Sequence, residues 1–524
     1  MAVPVHASSP DADVSSASEP LRLGARFEPR RALGRGGYGR VELVHDRLRH
    51  EDVALKILER RDSRSRADLK REFRVLQDVV HPNLVAMLEL VLTDELECIA
   101  LEHVDGSELL VHLRSEGARD DGTATAAVTQ TRSTLAAESS GVIAKDELLG
   151  SQTGADALPT ARLVAPFLQL LDALEALEAH DLVHGDLKPA NVLVERGGRV
   201  VVLDFGIARL RGTTARPVGT PAYMAPEQFV PDAVVTPASD RYALGVMLHE
   251  AITGSLPYVG LPAQILFAKL HGAPRPTPGP LGPLVAALLA RQPSERPSLE
   301  DVRVALTALA PSGMATARSR AMPRTMRART VVGRDRELAQ LEAACDASTP
   351  PFVVVRGAPG LGKTTLVDEL ARRRPEAVVR SRCYASETIR WNAIDAIVDA
   401  IAMEPARGAS SAASVSSLTA AADRSALALL FPATRTEATT EESIDVLPFA
   451  ELVRAAARAL AALIARRGAR IVVIDDAQWA DADSLGFLLE LSEAAPALAL
   501  VLTAREDDPR TAQLLARLES GRRA

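Results

Sequence analysis

Cysteine is scarce in this 524-residue chain: Cys98, Cys345 and Cys383 are the three present, far apart and without metal-ligand spacing. A disulfide framework and a cysteine-rich metal site are thereby excluded, and the thiols read as reduced groups of a cytoplasmic protein. Long apolar runs are missing too. None reaches the roughly 18 residues of a membrane span. The opening MAVPVHASSPDADVSSASEP lacks the basic and apolar regions of a signal peptide. No membrane partner is expected. Nor is positive charge in surplus: the net charge of −7 argues against nucleic acid as a partner of the whole chain.

Lysine is the sharpest shortage. Of 61 basic residues only six are lysine: Lys56, Lys70, Lys145, Lys188, Lys269 and Lys363. Arginine serves nearly everywhere a generic charge will do, so a surviving lysine points to a need for a compact ammonium, as at phosphate. Chance survival suffices for Lys70, Lys145 and Lys269; the other three fall inside phosphate-handling motifs.

With 47% hydrophobic and 25% charged residues the composition is globular, and the length predicts two or three domains. Residues 1–23 are rich in Ser, Ala, Pro and Asp and read as disordered. Strand-like runs VELVHD and VALKIL follow, with one helix whose stripe is Leu69, Phe73, Leu76 and Val80. Residues 115–160, rich in Ala, Ser and Thr, read as a flexible insertion. Helical periodicity then runs to about 310, clearest at Leu163, Phe167, Leu170, Leu174 and Leu177. Residues 311–330 carry arginines and no acid, a basic linker. An anionic partner for that segment is the weaker alternative. Beyond 331 the texture becomes strand–loop–helix, with FVVV and IVVIDD as buried parallel strands, interrupted by another Ala/Ser/Thr-rich insertion at 405–445.

Two constellations carry chemistry. In the first, Gly34, Gly36, Gly39 and Val41 fit G-x-G-x-x-G-x-V, a loop whose backbone can approach nucleotide phosphates. Lys56, on the strand VALK, can reach the α/β-phosphates, and Glu72 on the next helix can hold it. Asp186 and Asn191 stand five apart, the spacing of a proton-accepting carboxylate and a Mg²⁺-holding amide. Asp204-Phe205-Gly206 can hold the bridging metal. GTPAYMAPE (Gly219–Glu227), Asp240 and Arg296 follow in order.

This order resembles the eukaryotic-type Ser/Thr protein kinases over residues 24–310. The resemblance implies a two-lobed α+β fold with a five-stranded first lobe and a helical second lobe. ATP would lie between them, with Mg²⁺ or Mn²⁺ at Asn191 and Asp204. Leu33, Gly34, Gly36, Gly39, Val41, Ala54 and Lys56 would enclose the nucleotide, with Leu101 as gatekeeper and Glu102–Val104 as hinge. It implies that Lys188 contacts the transferred phosphate, that Glu227 pairs with Arg296, and that Asp240 anchors the catalytic-loop backbone. Thr220 would contact Asp186. The loop departs from the family in one place: His184-Gly185-Asp186 replaces His-Arg-Asp. The family arginine binds an activation-loop phosphate, and Gly185 cannot. Activity is therefore expected not to depend strongly on phosphate at the candidate sites Thr213, Thr214 or Thr220; alanine at the first two tests this, and Thr220 is excluded from that test because the resemblance has it contact the catalytic Asp.

In the second constellation, Gly357, Gly360, Gly362, Lys363, Thr364 and Thr365 form a G-x-x-x-x-G-K-T loop between a strand and a helix. About 110 residues on, Asp475 can hold Mg²⁺ through water and Asp476 can orient an attacking water. Together with VVGRDREL (Val331–Leu338) and LVLTAREDD, these resemble the AAA-like ATPase modules of signalling NTPases over residues 331–524. An α/β domain with a parallel sheet is implied, with Arg505 near the γ-phosphate. No family-type lid follows the last strand, so the module is read as C-terminally incomplete: a poor ATPase, a nucleotide-holding switch, or a truncated piece. Family members also close the site by oligomerising, which makes self-association a partner mode beside ATP at two sites and protein substrates bearing Ser or Thr. The leading function is a bacterial Ser/Thr kinase coupled to a nucleotide-binding P-loop domain. The competing one is a signalling scaffold whose kinase fold only binds and whose P-loop ATPase is the switch.

Overall fold

The computed structural model describes residues 25–36, 39–59, 63–77, 79–93, 96–120, 160–204, 209–210, 214–215, 220–229, 233–310, 333–347, 352–403, 421–431 and 448–521. The expected disordered N-terminus, the basic linker, Lys145, Phe205, Gly206, Thr213 and Gly219 lie outside these residues.

The first lobe is an antiparallel sheet. Strands β1 (Phe27–Gly36), β2 (Gly39–Asp46) and β3 (Glu51–Leu58) form a meander, with Val41 opposite Lys56. Helix α1 (Ser63–Leu76) follows, then β4 (Met87–Leu92) and β5 (Glu97–Glu102). The order is β1-β2-β3-β5-β4. Leu69 and Phe73 pin α1 to Leu58, Leu90 and Ile99. Val80, expected on the same stripe, lies beyond the helix and is 92% exposed. The helix ends at Leu76, and Pro82 disfavours a helical conformation at the residue before it.

The second lobe is mostly helical. A short sheet of β6 (Gly106–Glu108), β8 (Val192–Glu195) and β9 (Val200–Val202) underlies the cleft, and β7 (Leu182–Val183) leads into the loop carrying Asp186. Two-residue strands β10 (Arg209–Leu210), β11 (Thr214–Ala215) and β12 (Ala233–Val234) flank the segment after Asp204. The helices are α2 (Leu109–Asp120), α3 (Thr160–Glu178), α4 (Pro237–Thr253), α5 (Pro262–His271), α6 (Gly282–Leu288) and α7 (Leu299–Thr307). Leu163, Phe167, Leu170, Leu174 and Leu177 of α3 are all buried, as their spacing predicts. At about 1.5–3 kcal/mol per buried side chain, that face alone accounts for the helix's place in the core. Of the insertion expected over 115–160, residues 115–120 are helical, since α2 continues to Asp120; residues 121–159 lie outside those described.

Beyond residue 333 the chain forms an α/β unit. Strands β13 (Phe352–Gly357), β14 (Val378–Arg382), β16 (Ile471–Asp475) and β17 (Ala499–Arg505) make an all-parallel sheet in the order β13-β17-β16-β14. Its helices are α8 (Asp335–Cys345), α9 (Lys363–Arg373), α10 (Asn392–Met403), α11 (Ala421–Leu430), α12 (Phe449–Arg466), α13 (Ala482–Ala494) and α14 (Pro509–Gly521). Leu338, Leu341, Val367 and Leu370 cover one face, while Ile394, Leu460, Phe487 and Leu488 cover the other. Burial on both faces explains the unbroken apolar run of β16. The stretch 405–445 is not wholly an irregular insertion: α11 lies within it and packs Ala426 and Leu427 into the core.

One strand departs from the five-stranded expectation for the first lobe. Strand β15 (Glu387–Ile389) leaves the α/β unit and pairs in parallel with β4, extending that sheet to six strands.

Candidate functional site

Strand β3 and helix α1 deliver Lys56 and Glu72 to the cleft between the lobes. The Lys56 ammonium lies 2.7 and 2.9 Å from the Glu72 carboxylate oxygens and 2.6 Å from Asp204 Oδ1. Burial pulls this ammonium down, but the Glu72 and Asp204 carboxylates outweigh it and hold it above its ordinary value. Burial raises Glu72 above the usual carboxylate range. For Asp204 burial also opposes the charge, yet Lys56, then His184 and Lys188, bring it below that range. Asp204 sits at φ 55°, a left-handed conformation costing a residue with a side chain about 1–2 kcal/mol.

The loop after β7 holds a second cluster. Asp186 accepts hydrogen bonds from the Thr220 amide at 3.1 Å and, weakly, from the Asn191 side chain at 3.4 Å. Lys188 lies 3.0 Å from Asp186 Oδ2 and donates to the Thr220 hydroxyl at 2.9 Å. Buried Asp240, from α4, accepts from the His184 and Gly185 amides at 2.7 and 2.9 Å. Gly185 has φ 80°, so glycine here avoids the strain a side chain would bring. Gln228 donates to the Gly185 carbonyl at 2.9 Å, a support sequence reasoning did not find.

Two oxygens in this cleft fit a hard cation. Asn191 commits its amide hydrogens to Asp186, and no protein donor among the described residues reaches its Oδ1 or Asp204 Oδ2. Carboxylate and amide oxygens suit Mg²⁺ or Mn²⁺.

The residues expected to enclose a nucleotide lie on or beside β1, β2, β3 and β5. Ala54 is buried on β3 opposite Leu101 on β5, and Val53 faces Glu102. Val104 is buried beyond β5; Leu33 and Gly34 lie on β1, with Gly34 opposite Val41. Gly36 faces Gly39 at the hairpin end. A Cβ on Gly39 would fall 2.0 Å from the Ile57 carbonyl oxygen, so only glycine allows β2 this close to β3. Glu102 spends its carboxylate on Arg199, at 2.7 Å.

Behind the cleft, Arg296 clamps Glu227 with bonds of 2.7 and 2.8 Å. Chance survival does not account for Lys269, which has a specific place in the structure. Its ammonium, buried on α5, donates to the carbonyls of Pro221, Ala222 and Met224 at 2.9, 2.7 and 2.6 Å. It also stands 5.1 Å from the centre of the Tyr242 ring. A compact ammonium with three donors suits this cage better than a planar guanidinium. Its distance in sequence, 45 to 48 residues, hid the partnership. Thr214 lies on β11, paired with Val234.

The second constellation assembles at the carboxyl end of the parallel sheet. Gly360 and Gly362 turn the loop at φ 79° and 81°. Lys363 folds back on the Gly357 and Ala358 carbonyls at 2.8 and 3.0 Å. Thr364, in the first turn of α9, donates to Asp475 at 3.3 Å, and Thr503 also bonds this buried carboxylate. Thr365 lies beside Thr364 in the same turn. Asp476 has φ 54° and accepts from Arg382 at 3.0 and 3.2 Å. Arg380 reaches Asp475 at 3.2 Å. Arg505 ends β17 opposite Gly357. A cavity of about 270 Å³ adjoins the loop, between Arg334, Leu341, Val355 and Lys363.

Comparison with known proteins agrees with both parts. A family described as protein tyrosine and serine/threonine kinase matches residues 27–306, and one described as AAA ATPase domain matches 330–503. The serine/threonine-protein kinase PkaA of Streptomyces coelicolor is 32% identical over 63% of this chain and 58% of its own length. Pkn1 of Myxococcus xanthus is 30% identical over 71% of this chain and 54% of its own. For PknD of Mycobacterium tuberculosis the figures are 30%, 52% and 38%. The chain thus spans about half the length of the relatives it matches. No helix among the described residues is long and apolar enough to cross a membrane.

Proposed function

The chain belongs to the protein tyrosine and serine/threonine kinase family, and we propose that it transfers the γ-phosphate of ATP to Ser or Thr hydroxyls of bacterial cytoplasmic proteins. The observation that carries this reading is the pairing of Lys56 with both Glu72 and Asp204 across one cleft. In this assignment Lys56 orients the α/β-phosphates, and Asp186 accepts the substrate hydroxyl proton. Lys188 steadies both Asp186 and the transferred group, while Leu33, Val41, Ala54 and Leu101 enclose the base. Asn191 and Asp204 would hold Mg²⁺ or Mn²⁺, which supplies charge neutralisation at the transferred phosphate when bound.

Gly185 takes no part in binding an activation-loop phosphate. Asp240, Gln228 and the Lys269 cage hold the loop and the residues after Thr220 by other bonds. Residues 24–310 form the catalytic domain in this reading, joined by 311–330 to a P-loop domain beginning at 331. That domain binds a second nucleoside triphosphate through Lys363, Thr364, Asp475 and Asp476, with the adjacent cavity as the seat of the base.

Incubation of the full chain with γ-labelled ATP, a generic protein substrate and Mg²⁺ or Mn²⁺ tests the assignment. Phosphoserine or phosphothreonine in the substrate is expected. Absence of label with either metal would instead support a scaffold whose P-loop is the switch.

A further inference from the structure

Helix α1 has two working faces. Glu72 points to Lys56, whereas Lys70 and Arg74, two residues to either side, are held by the α/β unit. The Lys70 ammonium pairs with Asp395 and, at 3.6 Å, with Asp399. The Arg74 guanidinium reaches Glu387 at 2.7 Å and both Asp395 and Asp399 at 3.1 Å. Both side chains are largely buried by these contacts. Alongside, β15 pairs with β4 in the register Glu387–Leu90, Thr388–Val91 and Ile389–Leu92, and the Leu90 amide donates to the Ser386 carbonyl at 2.9 Å. Ile389 packs on the Leu69 and Phe73 cluster that seats α1. Thr388 donates to Glu89 at 2.9 Å. An otherwise open sheet edge is thus covered by this chain's own second unit.

The docked segment starts at the second nucleotide site. Arg382, the last residue of β14, donates to Asp476, and the Cys383 amide donates to the Asp475 carbonyl at 3.0 Å. Four residues later β15 begins. At its far end Asn392, opening α10, bonds the Trp479 carbonyl at 2.8 Å, three residues past Asp476.

We propose that residues 383–399 are a control interface: they dock on the outer face of α1 and the edge of β4, hold Glu72 in reach of Lys56, and transmit nucleotide occupancy at the P-loop through Arg382. The transmission rests on the P-loop being a nucleotide site; the docking does not. The element biased at both ends is α1.

The test uses the full chain as wild type, Arg74→Glu, Arg74→Glu with Glu387→Arg, Lys363→Ala, and Lys363→Ala with Arg74→Glu. Two readouts are taken: amide exchange at Leu90 and phosphoryl transfer to a generic protein substrate. Arg74→Glu is expected to lose Leu90 protection at least tenfold and to slow transfer at least tenfold, with the charge-swapped pair recovering part of both, because Asp395 and Asp399 still face position 74. Lys363→Ala should change transfer threefold or more in the wild-type background and less than 1.5-fold beside Arg74→Glu. Unchanged Leu90 exchange in Arg74→Glu overturns the docking. An equal Lys363→Ala effect in both backgrounds overturns the transmission. If the wild type transfers no phosphate, the kinase reading has failed, and the exchange readout still decides the docking.

Discussion

Replacing Lys269 with methionine keeps most of the side chain's bulk and removes its three donors. The carbonyls of Pro221, Ala222 and Met224 would then face a buried apolar group. Burial pushes Lys269 from 10.5 down to about 7, so the donors it offers the three carbonyls, more than its charge, hold the turn. Leaving buried carbonyls without those donors costs a margin of about 2 kcal/mol. Loss of that margin should speed amide exchange at Tyr223 and Met224 by about 30-fold, because both amides donate to the Thr220 carbonyl within the clamped turn. The Thr220 amide touches Asp186, so KM for a protein substrate should rise several-fold while KM for ATP stays within twofold. Exchange by mass spectrometry and steady-state kinetics on the full chain read both effects. Unchanged exchange together with unchanged KM would refute the cage as a positioning device.

Two further outcomes follow from named groups. Alanine at both Thr213 and Thr214 should leave transfer within about threefold of wild type, because Gly185 offers no guanidinium to a phosphate there; abolition of activity would remove that reading. Asp399 is pushed up to about 6, first by burial and then by Asp395, although Lys70 and Arg74 face it from α1; Glu387 of β15 shares Arg74. A carboxyl that binds its proton more tightly when folded makes stability fall as pH rises from about 4 through 6. The stability of wild type relative to Asp399→Asn should therefore fall as pH rises from about 4 to above 6. Melting midpoints across that range check it, and a gap that does not vary with pH refutes it.

The kinase cleft was legible because its chemistry is written as short motifs at set spacing. Lys56 pairs with Glu72 and Asp204, and Asn191 bonds Asp186. Glu227 and Arg296, 69 residues apart, were foreseen only through the family resemblance. What stayed hidden has no local period. Strand β15 is three residues long, and its partner in β4 lies about 300 positions earlier. Lys70 and Lys269 looked like chance survivors because their acceptors lie 325 and 45 to 48 residues away. Val80 misled because an apolar period continues past the point where the helix ends. Helix α11 was masked by an Ala/Ser/Thr-rich stretch; alanine favours a helix as readily as it fills a loop.

The most direct test of the account is γ-phosphate labelling of Ser and Thr by three full-length forms: wild type, Asp186→Asn and Lys363→Ala. Counting label on hydroxyls, rather than ATP consumed, separates the cleft between the lobes from any hydrolysis at the P-loop. The account predicts label with wild type, label at a changed rate with Lys363→Ala, and none with Asp186→Asn, which should still bind ATP. Equal labelling by wild type and Asp186→Asn, or none by any form, would contradict it.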